Sequence, residues 1–273
     1  MISPTEAESS GKIDQVDFDL TDYAGAIETI HRWKRQKSHH FVAVVNPFSV
    51  ILCRRDRQMN RAMAAAGLTL PDGTGIIWAA KLLGYNHSGR VTGPTLMLRL
   101  CDWGRGHGYR HFFYGGQSGV AERLARRLSE RYPGLTVAGT FSPPFRPLEL
   151  GETSAVIERI NASRPDVLWV GLGAPKQEKW MYRHLGRIDV PVMIGVGAAF
   201  DFHSGNIKWA PPYLRRLGLE WAYRLMQEPR RMWKRDVDSL RFMAQVLRQR
   251  LRRRFAFPLQ GRRTTEGHQN ATG

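Results

Sequence analysis

Residues 170–180 have the sequence Val-Gly-Leu-Gly-Ala-Pro-Lys-Gln-Glu-Lys-Trp, and this stretch decides the fold. It follows on from the apolar run at 167–170, which predicts a strand buried on both faces. Gly171 and Gly173 allow a sharp turn because they carry no Cβ, and Pro175 suits the first turn of a helix. Such a strand end followed by a helix N-terminus favours an anionic ligand, because free backbone N–H groups point outward there. A plain strand-to-helix connection has the same local pattern, so the rest of the chain must decide.

Strand and helix patterns alternate along most of the chain. Apolar runs predict strands at 41–45, 68–70, 111–114, 135–139, 167–170 and 192–196, with helical patterns between them. Residues 54–66 are expected to form one of these helices. The alternation predicts an α/β fold, a Rossmann-like parallel sheet with helices on both faces. Glycines follow the strands that end near residues 114, 170 and 194, so we expect a ligand edge lined by small residues.

Positive charge is concentrated near the C-terminus. Residues 213–263 contain 15 Arg and Lys against 4 Asp and Glu, a net charge of +11 out of the total of +17. Apolar residues recur there at helical spacing, at Leu214, Leu217, Trp221 and Leu225 and again at Leu240, Met243, Leu247 and Leu251. A basic amphipathic helix of this kind favours an anionic membrane surface. The charge alone is equally compatible with nucleic acid or with a solvated tail.

Several classes of protein are disfavoured by the sequence. No membrane-spanning helix is expected, because the longest apolar stretch, residues 41–53, is interrupted by Asn46 and Pro47. The N-terminus lacks the apolar segment of a signal peptide. Cys53 and Cys101 have no metal-ligand spacing, and we expect two buried, reduced thiols. A cytoplasmic protein, soluble or bound to a surface, is therefore predicted.

Pro71-Asp72-Gly73 places a carboxylate at the carboxyl end of a short predicted strand. Open α/β sheets bind their ligands at that edge, although the tripeptide alone is also typical of a turn. Two Asp-x-Asp patterns occur, at 17–19 and 236–238, but neither follows an evident core strand and the second is expected to open or cap a basic helix. We therefore expect no metal site and no cofactor, and expect arginine and lysine to neutralise an anionic substrate.

Five segments together resemble the WecG/TagA/CpsF family of glycosyltransferases. They are Pro71-Asp72-Gly73, Gly-Gly-Gln-Ser-Gly-Val-Ala-Glu at 115–122, the opening stretch at 170–180, Gly-Val-Gly-Ala-Ala-Phe-Asp at 195–201, and the segment from Gly218 to Arg231. The resemblance covers roughly residues 20–240 and keeps the order of the motifs. It implies an inverting, metal-independent transfer of a hexose or N-acetylhexosamine from a UDP-sugar. The implied acceptor is a polyprenyl-diphosphate-linked saccharide at the inner face of the cell membrane, where cell-surface polysaccharides are built with β-linkages.

The resemblance also implies roles for individual residues. Asp72 corresponds to the family's proposed catalytic base, and Arg90 and Gln177 are expected to act with it. Substrate binding is expected from Asn46, Thr74, Gly116, Gly173, Lys176, Asp201, Arg224 and Arg231. Among these, Asp201 would lie near the nucleotide, and the two arginines belong to an appendage that would close over the diphosphate.

Two positions depart from the family pattern. Val44 stands where a pocket threonine is expected, and Ala198 stands where a second glycine is common, so the identity of the donor sugar is left open. The charge distribution and the resemblance together divide the chain into a disordered N-terminus at 1–15, an α/β catalytic domain at 16–212, a basic helical membrane-docking appendage at 213–257 and a disordered tail at 258–273.

Two other classes of protein fit parts of the sequence. A nicotinamide-dependent oxidoreductase would explain the α/β pattern, but residues 171–176 lack the third glycine of Gly-x-Gly-x-x-Gly. A nucleic-acid-binding protein would explain the charge but not the Pro-Asp-Gly carboxylate, and few aromatic residues lie among the arginines. We therefore predict no nucleic-acid partner. The sequence leaves open whether the chain forms a homo-oligomer.

Overall fold

The computed structural model describes residues 10–86 and 89–256, apart from the side chains of residues 231, 234–236 and 253–256. A short antiparallel hairpin comes first, with strands β1 (Ser10–Ile13) and β2 (Val16–Asp19). The central sheet has six parallel strands, namely β3 (His40–Val45), β4 (Leu68–Pro71), β5 (Arg110–Gly115), β6 (Thr136–Phe141), β7 (Val167–Gly171) and β8 (Val192–Gly195). Their order across the sheet is β4-β3-β8-β7-β5-β6. The predicted parallel α/β sheet is confirmed.

Helices cover both faces of this sheet. One face carries α1 (Tyr23–Gln36), α5 (Gly93–Arg105), α6 (Val120–Arg131) and α9 (Ala199–Ser204). The other carries α2 (Pro47–Arg55), α3 (Arg57–Ala64), α4 (Thr74–Leu82), α7 (Leu150–Ser163) and α8 (Lys176–His184). In β7, Leu168 and Val170 face the second group of helices, whereas Trp169 faces the first. Successive side chains of a strand point to opposite faces, so a sheet covered on both sides needs strands that are apolar throughout.

The hairpin β1–β2 corrects the prediction of a disordered segment at residues 1–15. Ile13, Val16 and Phe18 are buried against the core that contains α2, α3 and α4, and Asp19 accepts a hydrogen bond from the Thr69 N–H (2.6 Å). The prediction is wrong for residues 10–15, and residues 1–9 lie outside the described part of the chain. Only three apolar side chains anchor the hairpin, which is why its pattern is weak in the sequence. The first Asp-x-Asp pattern therefore does lie in a strand.

The single helix predicted at 54–66 is two helices, α2 and α3. Asp56 separates them with an extended backbone, and its side chain accepts hydrogen bonds from the N–H groups of Gln58 and Met59. Aspartate is a favoured N-cap because its oxygen satisfies N–H groups that the first turn leaves unpaired. The ion pair of Asp56 with Lys179 of α8 fixes this break against the neighbouring helix.

Three C-terminal helices form the predicted appendage: α10 (Pro212–Arg216), α11 (Glu220–Gln227) and α12 (Pro229–Ala256). Helix α12 packs along α2 through the buried side chains of Phe242 and Val246. One turn earlier, Asp238 pairs with Arg55 of α2 (3.0 Å) and with Arg241 (2.9 Å). The apolar contact and the ion pair lie on one face of the helix, and together they determine which face meets the catalytic domain.

Most residues of the apolar stripes predicted in the appendage do not provide this contact, although Met243 is partly buried against the same core. Leu217, Trp221, Leu240, Leu247 and Leu251 are all at least half exposed. Leu217 and Trp221 of the first stripe are exposed, and Phe242 and Val246 make the contact with α2 instead. The second Asp-x-Asp pattern lies inside α12 rather than at its start. The predicted tail at 258–273 lies outside the described residues, and no helix within them is long and apolar enough to cross a membrane.

His111 of β5 is a fully buried histidine between the sheet and α5. Its Nδ1 accepts a hydrogen bond from Trp169 Nε1 (3.1 Å). Burial lowers the pKa of His111 from 6.5 to about 3, and the nearby positive charge of Lys34 adds to the effect. Because the folded pKa lies below the unfolded one, only the unfolded chain gains a proton as the pH falls below about 6.5. Stability contributed by His111 is therefore lost as the pH falls from that value towards 3.

We predict that His111→Asn reduces the acid sensitivity of the fold. The asparagine oxygen can replace Nδ1 as the acceptor for Trp169, but it does not titrate. The wild-type free energy of unfolding should fall by about 2 kcal/mol between pH 7 and pH 5 from this residue alone, and the variant should lack that part of the slope. Urea unfolding at several pH values measures both slopes. His107→Asn, at an exposed position, should keep the wild-type slope, and an unchanged slope in His111→Asn would contradict the assignment.

Candidate active site

Asp72 lies at the carboxyl edge of the sheet, directly after β4. Its N–H donates to the Val45 carbonyl of the adjacent strand β3 (2.7 Å), which places it beside Asn46. The Val91 N–H donates to the Pro71 carbonyl (2.9 Å), so the chain segment carrying Arg90 runs alongside. Three segments that are distant in sequence thus meet at Asp72.

The Asp72 carboxyl group has an unusually high proton affinity. Although the residue is partly exposed, protein atoms replace most of the water around its carboxyl group, and this burial raises its pKa to about 7. The negative charge of Glu220 raises the pKa further, while the positive charges of Arg90 and Arg224 oppose the rise. A carboxylate with a pKa near the working pH is suited to act as a general base.

A second part of the same edge is built from glycines. The Gly116 N–H donates to the Gly171 carbonyl (3.1 Å), joining the ends of β5 and β7. A Cβ on Gly171 would lie 2.5 Å from the Phe200 ring, so only glycine allows this approach. Gly173 has a φ of +74° and no neighbouring atoms within 4 Å of where a Cβ would stand, which leaves space for a ligand.

The glycines and Asp72 lie at opposite ends of a long site. Strands β3, β8 and β7 separate β4 from β5. Four strand spacings of 4.8 Å each make this distance roughly 19 Å. A ligand that touches both ends must therefore be extended along the carboxyl edge. Between β5 and β7 the connections lead away in opposite directions, and open α/β sheets bind nucleotides at such a position.

Gln177 connects two loops of the carboxyl edge. Its Oε1 accepts hydrogen bonds from the N–H groups of Gly173 (3.2 Å) and Gly197 (3.0 Å), and its Nε2 donates to Glu178 Oε1 (2.8 Å). These contacts bury the side chain and hold the ends of β7 and β8 together. The predicted residue is thus at the site, with its amide engaged by protein atoms.

Three other predicted residues lie at the same edge and make local contacts. Asn46 Oδ1 caps α2 by accepting from the Ser49 N–H (3.0 Å). Lys176 begins α8, with its Nζ 5.4 Å from the centre of the exposed Phe145 ring. Asp201 of α9 accepts a hydrogen bond from Asn206 Nδ2 (2.9 Å). These contacts orient the residues but do not join them to Asp72.

The appendage covers the Asp72 end of the site. Gly218 is buried against Thr74, so that a Cβ on Gly218 would lie 2.2 Å from Thr74 Cγ2. Arg90 Nη2 donates to the Arg215 carbonyl (3.3 Å). The predicted residues Thr74 and Arg90, which flank Asp72, therefore hold the segment between α10 and α11.

Arg224 of α11 is one of the two arginines that were predicted to bind substrate from the appendage, and its side chain is described. Its guanidinium lies 5.4 Å from the centre of the Phe202 ring, and its Nη2 lies 3.7 Å from Glu228 Oε2. Its Nε and Nη2 are buried and have no hydrogen-bond partner among the residues that the structure describes. Buried polar groups are normally satisfied, so these N–H groups are well suited to bind phosphate oxygens. The backbone of Arg231 belongs to α12, but its side chain lies outside what the structure describes.

Trp209 and Glu220 are site residues that the sequence reasoning missed. Trp209 stacks on Phe202 of the catalytic domain, with 5.8 Å between ring centres, and Arg215 lies 3.7 Å above the Trp209 ring. Trp209 Nε1 also donates to Glu220 Oε1 (3.2 Å). An isolated tryptophan just before Pro211 and Pro212 was the available signal, since a large aromatic side chain in a polar connection needs a partner.

Comparison with known proteins now identifies the family. The family model described as "Glycosyl transferase WecG/TagA/CpsF family" matches residues 12–256. The chain belongs to this glycosyltransferase family. The resemblance drawn from the sequence is thereby confirmed, and so is the prediction that the chain is a glycosyltransferase.

Curated relatives of this transferase share close to a third of its residues. A protein of Bacillus spizizenii (strain ATCC 23059 / NRRL B-14472 / W23) is 31% identical over 237 residues, covering 87% of this chain and 89% of its own length. One of Bacillus subtilis (strain 168) is 30% identical over 255 residues, covering 93% and 96%. One of Staphylococcus aureus (strain MW2) is 30% identical over 234 residues, covering 84% and 89%. Each is named N-acetylglucosaminyldiphosphoundecaprenol N-acetyl-beta-D-mannosaminyltransferase.

We predict that Gln177→Met destabilises the transferase. Methionine has a similar length but cannot accept from Gly173 and Gly197, so two N–H groups lose their partner. The free energy of unfolding should fall by roughly 1–3 kcal/mol, as is usual when buried polar groups are left unsatisfied. Urea unfolding measures this loss, with Gln58→Met on the exposed side of α3 as the matched control. A stability loss no larger than that of the control would show that the amide does not hold the loops.

Proposed function

We propose that this transferase moves a hexose or N-acetylhexosamine from a UDP-sugar to a polyprenyl-diphosphate-linked saccharide, in the synthesis of a cell-surface polysaccharide. One observation carries the proposal: Asp72 is held at the carboxyl edge of the sheet by its hydrogen bond to Val45, where burial raises the pKa of its carboxyl group and the positive charges of Arg90 and Arg224 act on it. This arrangement provides a base and positive charge within one site, which a displacement at a sugar diphosphate requires. The names of the curated relatives, which specify transfer to a sugar on diphosphoundecaprenol, support the same class of acceptor.

The reaction that suits this site is a single displacement. Asp72 accepts the proton of the acceptor hydroxyl while the hydroxyl oxygen attacks the anomeric carbon. The bond from that carbon to the UDP oxygen breaks on the opposite face, and UDP leaves with the bonding electron pair. An α-linked donor therefore gives a β-linked product. Because negative charge grows on the leaving diphosphate, the buried guanidinium of Arg224 would stabilise the transition state more than the ground state.

The length of the site suggests how the donor lies. The open space at Gly173, the backbone at Gly116 and the carboxylate of Asp201 would receive the nucleotide, while the sugar reaches the Asp72 end. Lys176 at the N-terminus of α8 adds a positive charge along the way, where the helix itself favours an anion. In this proposal arginine and lysine, rather than a metal ion, neutralise the diphosphate. Asn46, close to Asp72, is then positioned to contact the transferred sugar.

We predict that Asp72→Asn removes turnover while preserving donor binding. The asparagine has nearly the same shape but cannot accept the proton, so turnover should fall roughly 10²–10⁴-fold. Transfer is measured with a short-chain polyprenyl-diphosphate sugar in excess EDTA, and UDP binding by calorimetry. Asp201→Asn, on α9 after β8, serves as the comparison and should weaken UDP binding without a comparable loss at saturating donor. Near-normal turnover of Asp72→Asn would rule out Asp72 as the base.

We further propose that the appendage docks on an anionic membrane as a peripheral element. Among the residues that the structure describes, nine of the thirteen exposed large apolar side chains lie between Tyr213 and Leu251. Arg248, Arg250 and Arg252 are exposed beside Leu247 and Leu251 on the last turns of α12. Apolar and cationic side chains on one helix favour the interface of an anionic bilayer, where each basic residue contributes about 1 kcal/mol. The acceptor in this proposal is lipid-linked, so docking would bring the enzyme to its substrate.

We predict that replacing Arg248, Arg250 and Arg252 with glutamine weakens vesicle binding. Losing three charges should reduce the affinity for vesicles containing phosphatidylglycerol roughly 100-fold at low salt. Turnover on a short-chain, water-soluble acceptor should stay unchanged, since these residues lie away from Asp72. Sedimentation with vesicles measures the binding. Replacing Arg32, Arg35 and Arg126, which are exposed on the opposite face of the sheet, removes the same charge and should have little effect; equal losses in both variants would contradict a specific docking face.

A further inference from the structure

Glu220 is a carboxylate at the site for which the displacement described above has no use. It is the first residue of α11, and its side chain is partly buried. Trp209 Nε1 donates to one of its oxygens (3.2 Å), and the Trp209 ring itself contacts Phe202 and the guanidinium of Arg215. A side chain held in this way has one orientation for as long as α11 lies on the catalytic domain.

The contacts of the appendage place this carboxylate beside Asp72. Two residues before Glu220, Gly218 is packed against Thr74, which itself lies two residues after Asp72. On the other side, Arg90 donates to the Arg215 carbonyl (3.3 Å). The first turn of α11 therefore begins next to Asp72. The negative charge of Glu220 raises the pKa of the Asp72 carboxyl group.

The charged groups that face Asp72 come from two elements. Arg90 belongs to the segment before α5, and Glu220 and Arg224 belong to α11. The arginines favour the ionised carboxylate, whereas Glu220 disfavours it, because two negative charges repel each other. If α11 moves away, Asp72 loses Glu220 and Arg224 together but keeps Arg90. The proton affinity of Asp72 therefore depends on the position of the appendage.

We propose that Glu220 is a positioning residue, oriented by Trp209, which makes Asp72 a stronger base only while α11 lies against Thr74. The proposal rests on the proposed function, since it assumes that Asp72 accepts the proton of the acceptor. It gives the appendage a role in catalysis besides binding the diphosphate.

The titration of Asp72 tests this directly in the full chain without any substrate. In protein labelled with ¹³C at the aspartate carboxyl carbons, the resonance that Asp72→Asn removes belongs to Asp72. Its midpoint should lie near pH 7 in the wild type. In Glu220→Gln, which keeps an acceptor for Trp209 but removes the charge, the midpoint should fall by roughly one pH unit. Glu158→Gln, an equal loss of charge at an exposed position of α7, should leave it unchanged.

Trp209→Phe provides a second variant that keeps the aromatic packing but removes the N–H donor. It should lower the Asp72 midpoint in the same direction as Glu220→Gln, by a smaller amount. In turnover, both variants should shift the acid limb of kcat/KM to lower pH, because Asp72 stays ionised there, and should lower the plateau, because a weaker base accepts the proton less readily.

The two readouts separate this inference from the proposed function. An Asp72 midpoint that does not move in Glu220→Gln overturns the inference, whatever the activity. A midpoint that moves in Glu220→Gln but not in Trp209→Phe overturns the orienting role of Trp209. If the midpoint moves as expected while Asp72→Asn retains near-normal turnover, the electrostatic coupling stands and the assignment of Asp72 as the base fails.

Discussion

The parallel pairing of β3 with β4 and β8 is the constraint on which the site depends. It brings the carboxyl ends of strands from distant parts of the chain to one edge, and the bond from Asp72 to Val45 then attaches the proposed base directly to the sheet. Gln177 binds the next two loops in a similar way. A base held by backbone hydrogen bonds needs no reorganisation when substrate arrives, which is a general source of catalytic power in preorganised sites. The fold therefore contributes to the chemistry mainly by fixing distances along an edge of roughly 19 Å.

The charges that act on Asp72 come from two separate parts of the chain. Arg90 belongs to the catalytic domain, whereas Arg224 and Glu220 belong to the appendage, so the field at Asp72 is complete only when both parts are in contact. Charges act more strongly where protein replaces water, and this is the situation of the Asp72 carboxyl group. The exposed apolar face of the appendage and its arginines lie on the same helices. Membrane docking and assembly of the site would thus be functions of one structural element.

The sequence predicted the parts of the molecule that are determined locally. An apolar run followed by Gly171, Gly173 and Pro175 is enough to predict a strand, a turn and a helix, and Pro71-Asp72-Gly73 predicted a carboxylate at the sheet edge. The break at Asp56, the hairpin β1–β2 and the packing face of α12 were missed, because each depends on a long-range partner such as Lys179, Thr69 or Arg55. The bond between Trp209 and Glu220 is of the same kind. Neither residue belongs to a pattern with a chemical meaning until the fold brings them together.

The stereochemistry of the product tests the central claim most directly. Purified protein in excess EDTA is incubated with a short-chain polyprenyl-diphosphate sugar as acceptor and with a panel of α-linked UDP-sugars. The panel includes the UDP derivatives of N-acetylmannosamine, of its uronic acid and of glucose. The one-bond carbon–hydrogen coupling at the new anomeric centre distinguishes the two linkages. A single displacement with one base predicts a β-linked product from the accepted donor. An α-linked product would require two displacements or a different mechanism, and it would contradict the account.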